Sequence, residues 1–363
     1  MIIAYDAKRV FRNFTGLGNY CRSTLDMLAR YQPQCEQRLL TPALSSDERC
    51  ARFVSRAVVP HGVVRGSLWR TFCMGAEAKA VGADVFHGLS NELPLRLDIP
   101  SVVTVHDVAF RTYTDMYKPW DRAIYDRKWA SACRRATRII AISESTRRDI
   151  LRFYDVPEER VVVVYQPVQD IFYGTPAPLT FDVPHDYMLY VGSLNSRKNL
   201  LAVVQAMEML PADLRLPLVV VGDGSGDYAD KVLAYVASHG MERWFVRRRV
   251  DDNAQLQALY AHARLFVYPS HYEGMGLPVI EAQLSGCPVI TSNVSSLPEA
   301  GGDAALQVLP TDVRALADAM EQLITDDTLV TRLSSEGRTR SHQRFAPERL
   351  AKELTDVYSE IAL

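Results

Sequence analysis

Two carboxylates, two adjacent bases and a few glycines carry the chemistry this chain advertises. Glu273 and Glu281 stand in Pro269-Ser-His-Tyr-Glu-Gly-Met-Gly-Leu-Pro-Val-Ile-Glu-Ala-Gln-Leu-Ser-Gly286, with seven residues between them. An ionised carboxylate only accepts hydrogen bonds, so the pair suits hydroxyl groups. Gly274 and Gly276 allow a sharp turn or a close backbone approach to a ligand. Pro278 suits the first turn of a helix and Gly286 its stop. Loop amides and a helix N-terminus together hold an anion. An anion site flanked by hydroxyl acceptors describes a phosphorylated sugar. Arg197 and Lys198 follow Gly192-Ser-Leu-Asn-Ser, and an Arg fork beside a Lys point charge suits a diphosphate.

These groups need elements to position them. Leu265–Tyr268 and Tyr187–Val191 read as buried strands feeding the two loops, with helices from Pro278 and Leu200 leaving them. Further strands are expected at 1–6, Arg38–Thr41, Asp84–His87, Ser101–Val105, Arg138–Ile142 and Val161–Tyr165. In the second half they are expected at Leu218–Val221, Trp244–Arg247, Val289–Ser292 and Leu306–Leu309. Helical runs fit Asp121–Ala136, Glu144–Phe153, Leu200–Leu210, Tyr228–Ser238, Asn253–Ala261, Val313–Ile324 and Pro347–Ile361. Apolar β-branched runs alternating with helices argue parallel sheets covered on both faces. Ligands of such sheets bind at strand carboxyl ends. His106-Asp107 ends one strand there. Gly16 and Gly18 precede an amphipathic run, Tyr20–Leu28; two glycines at that place serve a ligand loop or a plain turn.

Length and composition frame this. The 363 residues are 48% hydrophobic and 23% charged, enough for about two domains. A Pro-rich stretch at 166–186 separates the halves, giving domains at 1–170 and 187–344, a linker at 171–186 and a closing helical segment at 345–363. No apolar run is long enough to span a membrane, and the start lacks the basic and apolar regions of a signal peptide. A cytoplasmic protein with six reduced thiols is expected. Residues 1–180 carry 25 Lys+Arg against 19 Asp+Glu, while the remainder is acidic. A basic first half suits an anionic acceptor or peripheral contact with an anionic membrane, or is a solvated face. No zinc-spaced Cys/His set, Walker lysine or nucleic-acid motif is present, so neither a metal nor nucleic acid is expected. Gly222-Asp-Gly-Ser-Gly-Asp227 misses the dinucleotide spacing and reads as a turn.

Taken together, the Gly16/Gly18 loop, Arg197-Lys198-Asn199, the Glu273/Glu281 pair, Gly286-Cys-Pro-Val-Ile-Thr-Ser-Asn293, Ser296-Leu-Pro-Glu299, His106-Asp107 and Ile142-Ser-Glu-Ser-Thr-Arg-Arg-Asp149 resemble the retaining family-4 glycosyltransferases, in their mannosyltransferase-like branch. The resemblance implies the α/β GT-B fold: two Rossmann-like domains facing a cleft, the second holding a nucleotide-sugar donor, the first the acceptor, and the last helix returning to the first domain. By position it implies catalytic His106 and Glu273. Arg197 and Lys198 would bind the diphosphate and Glu281 the ribose. Glu273 and the amides of Gly274, Met275, Gly276 and Leu277 would hold the sugar, and the Gly16/Gly18 loop would close on the phosphates. No cofactor is implied; the donor is a substrate, GDP-mannose first and a UDP-hexose otherwise. The family's Gly-x-Val segment is here Arg248-Arg249-Val250, which leaves the base open. The acceptor would be a glycan or lipid-linked sugar in surface polysaccharide synthesis. The other readings are an epimerase or phosphorylase of the same fold, or a non-catalytic glycan-binding protein.

Overall fold

The computed structural model describes residues 1–60, 66–180 and 182–362. Phe181, within the expected linker, and the final Leu363 lie outside the described residues. The chain divides into two compact units, residues 1–167 with 345–363 and residues 168–344.

In the first unit the strands are β1 (Ile2–Asp6), β2 (Glu36–Leu40), β3 (Ala57–Val58), β4 (Val85–Gly88), β5 (Ser101–Val105), β6 (Arg138–Ala141) and β7 (Val161–Val163). They form one parallel sheet in the order β3-β2-β1-β4-β5-β6-β7. Its helices are α1 (Lys8–Arg12), α2 (Gly16–Tyr31), α3 (Gly66–Phe72), α4 (Met74–Ala80), α5 (Ala109–Thr112), α6 (Pro119–Arg135) and α7 (Glu144–Phe153). Every residue of β4 and β5 is buried, as expected where helices cover both faces of a parallel sheet.

The second unit repeats the plan. Strands β8 (Met188–Val191), β9 (Leu218–Val221), β10 (Phe245–Arg248), β11 (Leu265–Tyr268), β12 (Val289–Ser292) and β13 (Ala305–Val308) lie parallel in the order β10-β9-β8-β11-β12-β13. Helices α8 (Leu200–Met209), α9 (Asp227–Ser238), α10 (Asn253–His262), α11 (Leu277–Leu284), α12 (Leu297–Gly301), α13 (Val313–Thr325) and α14 (Asp327–Arg344) surround them. In each sheet the strand order reverses beside the unit's first strand, between β1 and β4 and between β8 and β11. The carboxyl end of such a switch point is an open crevice.

Four expectations are corrected. The expected linker at 171–186 is docked at its start, and the units part after Pro167: Phe172 is buried and packs edge-on against Tyr260, while the Gly174 carbonyl accepts from Gln257 Nε2 at 2.9 Å. Strand β3 was not expected; two residues show no periodicity, yet Leu39 and Leu40 pair with Ala57 and Val58. Helix α14 was not expected either. Its charged and polar residues leave no apolar stripe, but Gly337 lets it approach the Gln283 side chain, and the Ser341 hydroxyl donates to Gln283 Oε1 at 2.7 Å. Finally, α2 begins at Gly16, so Gly16 and Gly18 form its first turn rather than a loop before it.

The closing helix α15 (Pro347–Ile361) packs on α2 within the first unit. Its Tyr358 hydroxyl lies 2.6 Å from His87 Nδ1, and His87 Nε2 lies 2.8 Å from Thr104 Oγ1, which also meets the Tyr20 hydroxyl at 3.1 Å. All four residues are buried, and burial lowers the His87 pKa to about 3, so the ring is neutral and both nitrogens need these partners. Tyr358→Phe leaves one His87 nitrogen or its hydroxyl partner unsatisfied, which costs about 1–3 kcal/mol. Denaturant unfolding monitored in the first unit should show that loss, and an unchanged midpoint would mean that the network contributes nothing.

Candidate active site

The site in the second unit is assembled from the crevice loops after β8 and β11. After Val191 the chain turns through residues 192–195 into a single 3-10 turn, Ser196–Lys198. Asn195 caps that turn, its Oδ1 accepting from Lys198 N at 3.2 Å. Asn199 then takes a left-handed conformation, φ 60°, before α8 begins. Asn tolerates this region better than most residues, and its Nδ2 donates to the carbonyls of Pro269 and Pro310 at 3.1 and 2.7 Å. Arg197 and Lys198 are thereby turned toward the loop after β11.

Glu273 meets them there. Lys198 Nζ lies 2.6 Å from Oε1 and Arg197 Nη1 lies 3.0 Å from Oε2. Oε1 also accepts from Ser270 Oγ at 2.6 Å and from the Tyr268 hydroxyl at 3.1 Å. Lys198 Nζ reaches the Tyr268 hydroxyl as well. Glu273 is only 8% exposed. Burial by itself would raise its pKa, but Lys198 and Arg197, with the hydrogen bonds from Lys198 and Ser270, outweigh it and hold the carboxyl below its ordinary range. A carboxylate, not a carboxylic acid, occupies the centre of the site.

The loop is braced from behind. Glu273 N donates to Ser295 Oγ at 3.0 Å, Ser296 Oγ donates to the Glu273 carbonyl at 2.8 Å, and Ser292 Oγ donates to the Ser270 carbonyl at 2.6 Å. Gly276 caps α11 with φ 82°, and a Cβ there would lie 2.7 Å from Leu297 Cδ2, so glycine is required on both counts. Gly274 and the buried Met275 precede it, and Leu277 opens the helix. Glu281 lies early in α11, its fifth residue. The Tyr260 hydroxyl donates to its Oε2 at 3.3 Å. Glu281 is half-buried, and the partial desolvation of its carboxyl raises the pKa to about 7. Two carboxylates of one loop-helix segment are thus driven in opposite directions.

In the first unit, His106 follows β5 directly and is 6% exposed. Its Nε2 lies 2.9 Å from the Leu89 carbonyl, which can only accept, so Nε2 carries the proton. Nδ1 then accepts from Gln166 Nε2 at 2.7 Å. Burial lowers the pKa to about 4, so the ring is neutral. It meets the Tyr20 ring edge-on at 4.5 Å between centroids, which places His106 against the helix carrying Gly16 and Gly18. Asn13 Oδ1 accepts from Thr15 N and Gly18 N at 3.0 and 3.1 Å. A Cβ at Gly18 would collide with the Asn13 carbonyl at 1.8 Å, whereas nothing lies within 4 Å of one at Gly16. Arg248, which replaces the expected glycine at the end of β10, holds the Asp182 carbonyl with Nε at 3.1 Å and Nη2 at 2.6 Å.

Within the second unit the structure therefore brings Arg197, Lys198 and Glu273 into direct contact, and it sets Glu281 apart with Tyr260. The anchoring by Tyr268, Ser270, Ser295, Ser296 and Asn199 was not read from the sequence. Ser270, Ser296 and Asn199 sit inside the quoted motifs, but nothing in their spacing tells a buttress from a ligand contact.

Parallel α/β units with crevices at their switch points define the class. HepE of Anabaena in complex with UDP matches with a TM-score of 0.77 at 16% identity over 99% of both chains. WaaG, a glycosyltransferase involved in lipopolysaccharide biosynthesis, matches at 0.69 and 19% over 99% of both. The chain has the GT-B fold. It belongs to the family-4 glycosyltransferases: the model described as Glycosyltransferase Family 4 matches residues 14–170, and that of Glycosyl transferases group 1 matches residues 176–340. O-antigen chain mannosyltransferase B of Escherichia coli is 33% identical over 283 residues, 76% of this chain and 74% of that protein. Serotype-specific mannosyltransferase WbdA of Escherichia coli is 31% identical over 261 residues, 67% of this chain but 32% of that longer protein.

The raised pKa of Glu281 has a testable sign. A carboxyl whose folded pKa lies above its unfolded value stabilises the fold below about pH 4.5 and loses that contribution as pH rises through about 7. Glu281→Gln removes the ionisation, so its stability advantage over the wild type should grow between pH 4.5 and 7 and then level off, at no more than about 3 kcal/mol. Ligand-free melting curves across that range check it; a constant offset would place Glu281 in a wet environment.

Proposed function

We propose that this glycosyltransferase is a retaining, metal-independent hexosyltransferase that moves mannose from GDP-mannose to a glycan or lipid-linked acceptor in surface polysaccharide synthesis. The observation that carries the reading is the contact of Arg197 and Lys198 with the ionised, buried Glu273. A donor diphosphate brings two negative charges to the same cations. It draws Arg197 and Lys198 toward its phosphates and frees Glu273 oxygens for hydroxyls of the sugar. The amides of Gly274 to Leu277 complete the sugar's cradle, and Glu281, ionised on binding, accepts from the ribose hydroxyls. The first turn of α2, at Gly16 and Gly18, serves the phosphates. His106 is neutral and serves the sugar as a hydrogen-bond partner, exchanging Gln166 for a hydroxyl. The mannosyltransferase names of the relatives support mannose as the sugar.

In the step itself the bond from the anomeric carbon to the diphosphate oxygen breaks, and its electron pair stays on the diphosphate. Arg197 and Lys198 stabilise that charge as it grows, the task a metal performs in other transferases. The acceptor hydroxyl attacks the same face of the sugar, and its proton passes to the leaving phosphate. Retention follows. A covalent route in which a freed Glu273 oxygen attacks the anomeric carbon and water or the acceptor later displaces it would also retain the configuration. The test is thermal stabilisation by GDP, UDP and their sugars with EDTA present, followed by the anomeric configuration of the product by NMR. GDP and GDP-mannose should stabilise the wild type and not Arg197→Ala, and the product should be α-linked. Stabilisation that vanishes with EDTA, or an inverted product, would refute the proposal.

Peripheral membrane contact is part of this reading. On α6, Trp120 is 76% exposed and Ile124 and Tyr125 about 40%, in a helix that also carries Arg122, Arg127, Lys128, Arg134 and Arg135. Among the described residues no helix is long and apolar enough to cross a membrane, so contact would be interfacial. The protein should co-sediment with vesicles containing anionic lipid, less so at high salt and in Trp120→Ala. Absence of sedimentation at low salt would remove the membrane from the reading.

A further inference from the structure

A cavity of about 210 Å³ opens in the first unit. Its walls come from α1, α3, the segment after β4 and α6, which places it outside the carboxyl ends of β1 and β4, at that sheet's switch point. Lys8, Arg9, Arg12, Arg70 and Lys128 line it, and Glu92 is the one acidic residue among its lining side chains. Arg70 is buried beneath, paired with Asp6 and with Glu92 Oε2 at 2.6 Å. Lys128 Nζ lies 3.8 Å from the same Glu92 oxygen. Counting Asp6, the cations exceed the carboxylates by three. So many like charges converging from three helices repel one another unless an anion joins them. Lys8 registers the crowding: burial first, then the neighbouring Arg70, lowers its pKa.

The size and surroundings narrow the anion. Whole small-molecule ligands fill roughly 300–1,000 Å³, so this cavity suits a compact charged group of a larger molecule. Trp120, Ile124 and Lys128 are spaced four residues apart on α6, on one face. The cavity wall at Lys128 thus continues into the exposed apolar stripe of Ile124 and Trp120. A cationic pocket continuous with an apolar stripe fits a head group attached to a hydrocarbon chain.

We propose that this pocket binds the phosphate or diphosphate through which a lipid carries the acceptor glycan, with Lys8, Arg9, Arg12 and Lys128 on the phosphate oxygens and the lipid chain along Ile124 and Trp120. The inference rests on the transferase reading and deepens it: Asn13, which also lines this pocket, holds Gly18 N of the turn proposed for the donor phosphates. Arg70 holds Glu92 and Asp6 in place and positions the pocket floor.

The test is calorimetric titration with hexyl diphosphate and with inorganic diphosphate, the donor site being filled with a saturating nucleoside diphosphate. Hexyl diphosphate should bind at one site and more tightly than inorganic diphosphate. Arg12→Gln with Lys128→Gln, both exposed positions, should weaken it about tenfold or more. Trp120→Ala should abolish the preference for the alkyl form. Nucleotide binding by the double variant should be unchanged, and its melting temperature reports folding. Equal affinity of wild type and double variant would overturn the pocket. Equal binding of the two diphosphates would overturn the lipid assignment. If no nucleotide binds the wild type, the donor reading fails instead, and the same titration in Arg197→Ala decides the pocket alone.

Discussion

The second unit is organised around one buried carboxylate. Placing Glu273, Lys198 and Arg197 in a site from which water is largely excluded carries a desolvation cost of several kcal/mol per ion. The arrangement tolerates that cost because both cations share one carboxylate, whose Oε1 accepts from three side chains and Oε2 from Arg197. The consequence is geometric. The turn after β8 and the loop after β11 cannot shift independently, since moving either one strands a buried charge. The left-handed Asn199, the serine brace from Ser292 to Ser296 and the positive φ of Gly276 all serve to hold backbone where that cluster requires it.

The two units use one solution twice. Both sheets are parallel and reverse strand order beside their first strand. In both, basic side chains meet a buried or half-buried carboxylate at the strand ends of that reversal, Arg70 of α3 with Asp6 and Glu92 in the first, Arg197 and Lys198 with Glu273 in the second. The halves share no repeat visible in sequence, so the similarity arises from topology: a switch point is the place where loops diverge and leave room for polar side chains. What differs is the balance of charge, near neutral around Glu273 and in cationic excess around Arg70.

Much of this was legible before any coordinates. Strands such as Ser101–Val105 and Leu265–Tyr268 fall where predominantly apolar, β-branched or aromatic runs end in a polar or proline residue, because a strand buried on both faces leaves few polar positions. The glycines and the Glu273/Glu281 spacing marked the site for the same reason, being residue types a core does not need. Three things were not legible. Helix α14 is polar around most of its surface; Leu333 enters the core with Leu329 and Val330 beside it, and Gly337 and Ser341 meet one glutamine, contacts too few to announce a period. The opposite ionisation tendencies of Glu273 and Glu281 depend on which neighbours tertiary packing supplies, Lys198 and Arg197 for one and partial desolvation without a nearby cation for the other. The tautomer of His106 depends on Leu89 and Gln166, seventeen and sixty residues away, and its neutral state on the burial that packing supplies.

The first unit is built from both ends of the chain, with all of the second unit lying between them. A chain emerging from the ribosome presents residues 1–167 long before Tyr358 exists. Until then His87 has only one of its two hydroxyl partners and the face of α2 that receives α15 has no cover. The second unit, contiguous in sequence, has every strand and helix it needs once Arg344 has been made. Vectorial synthesis therefore inverts the usual order, in which the N-terminal domain completes first. Here the domain that is translated in the middle is the first able to close its core, and the last fifteen-residue helix is the piece that finishes the domain begun at the first residue.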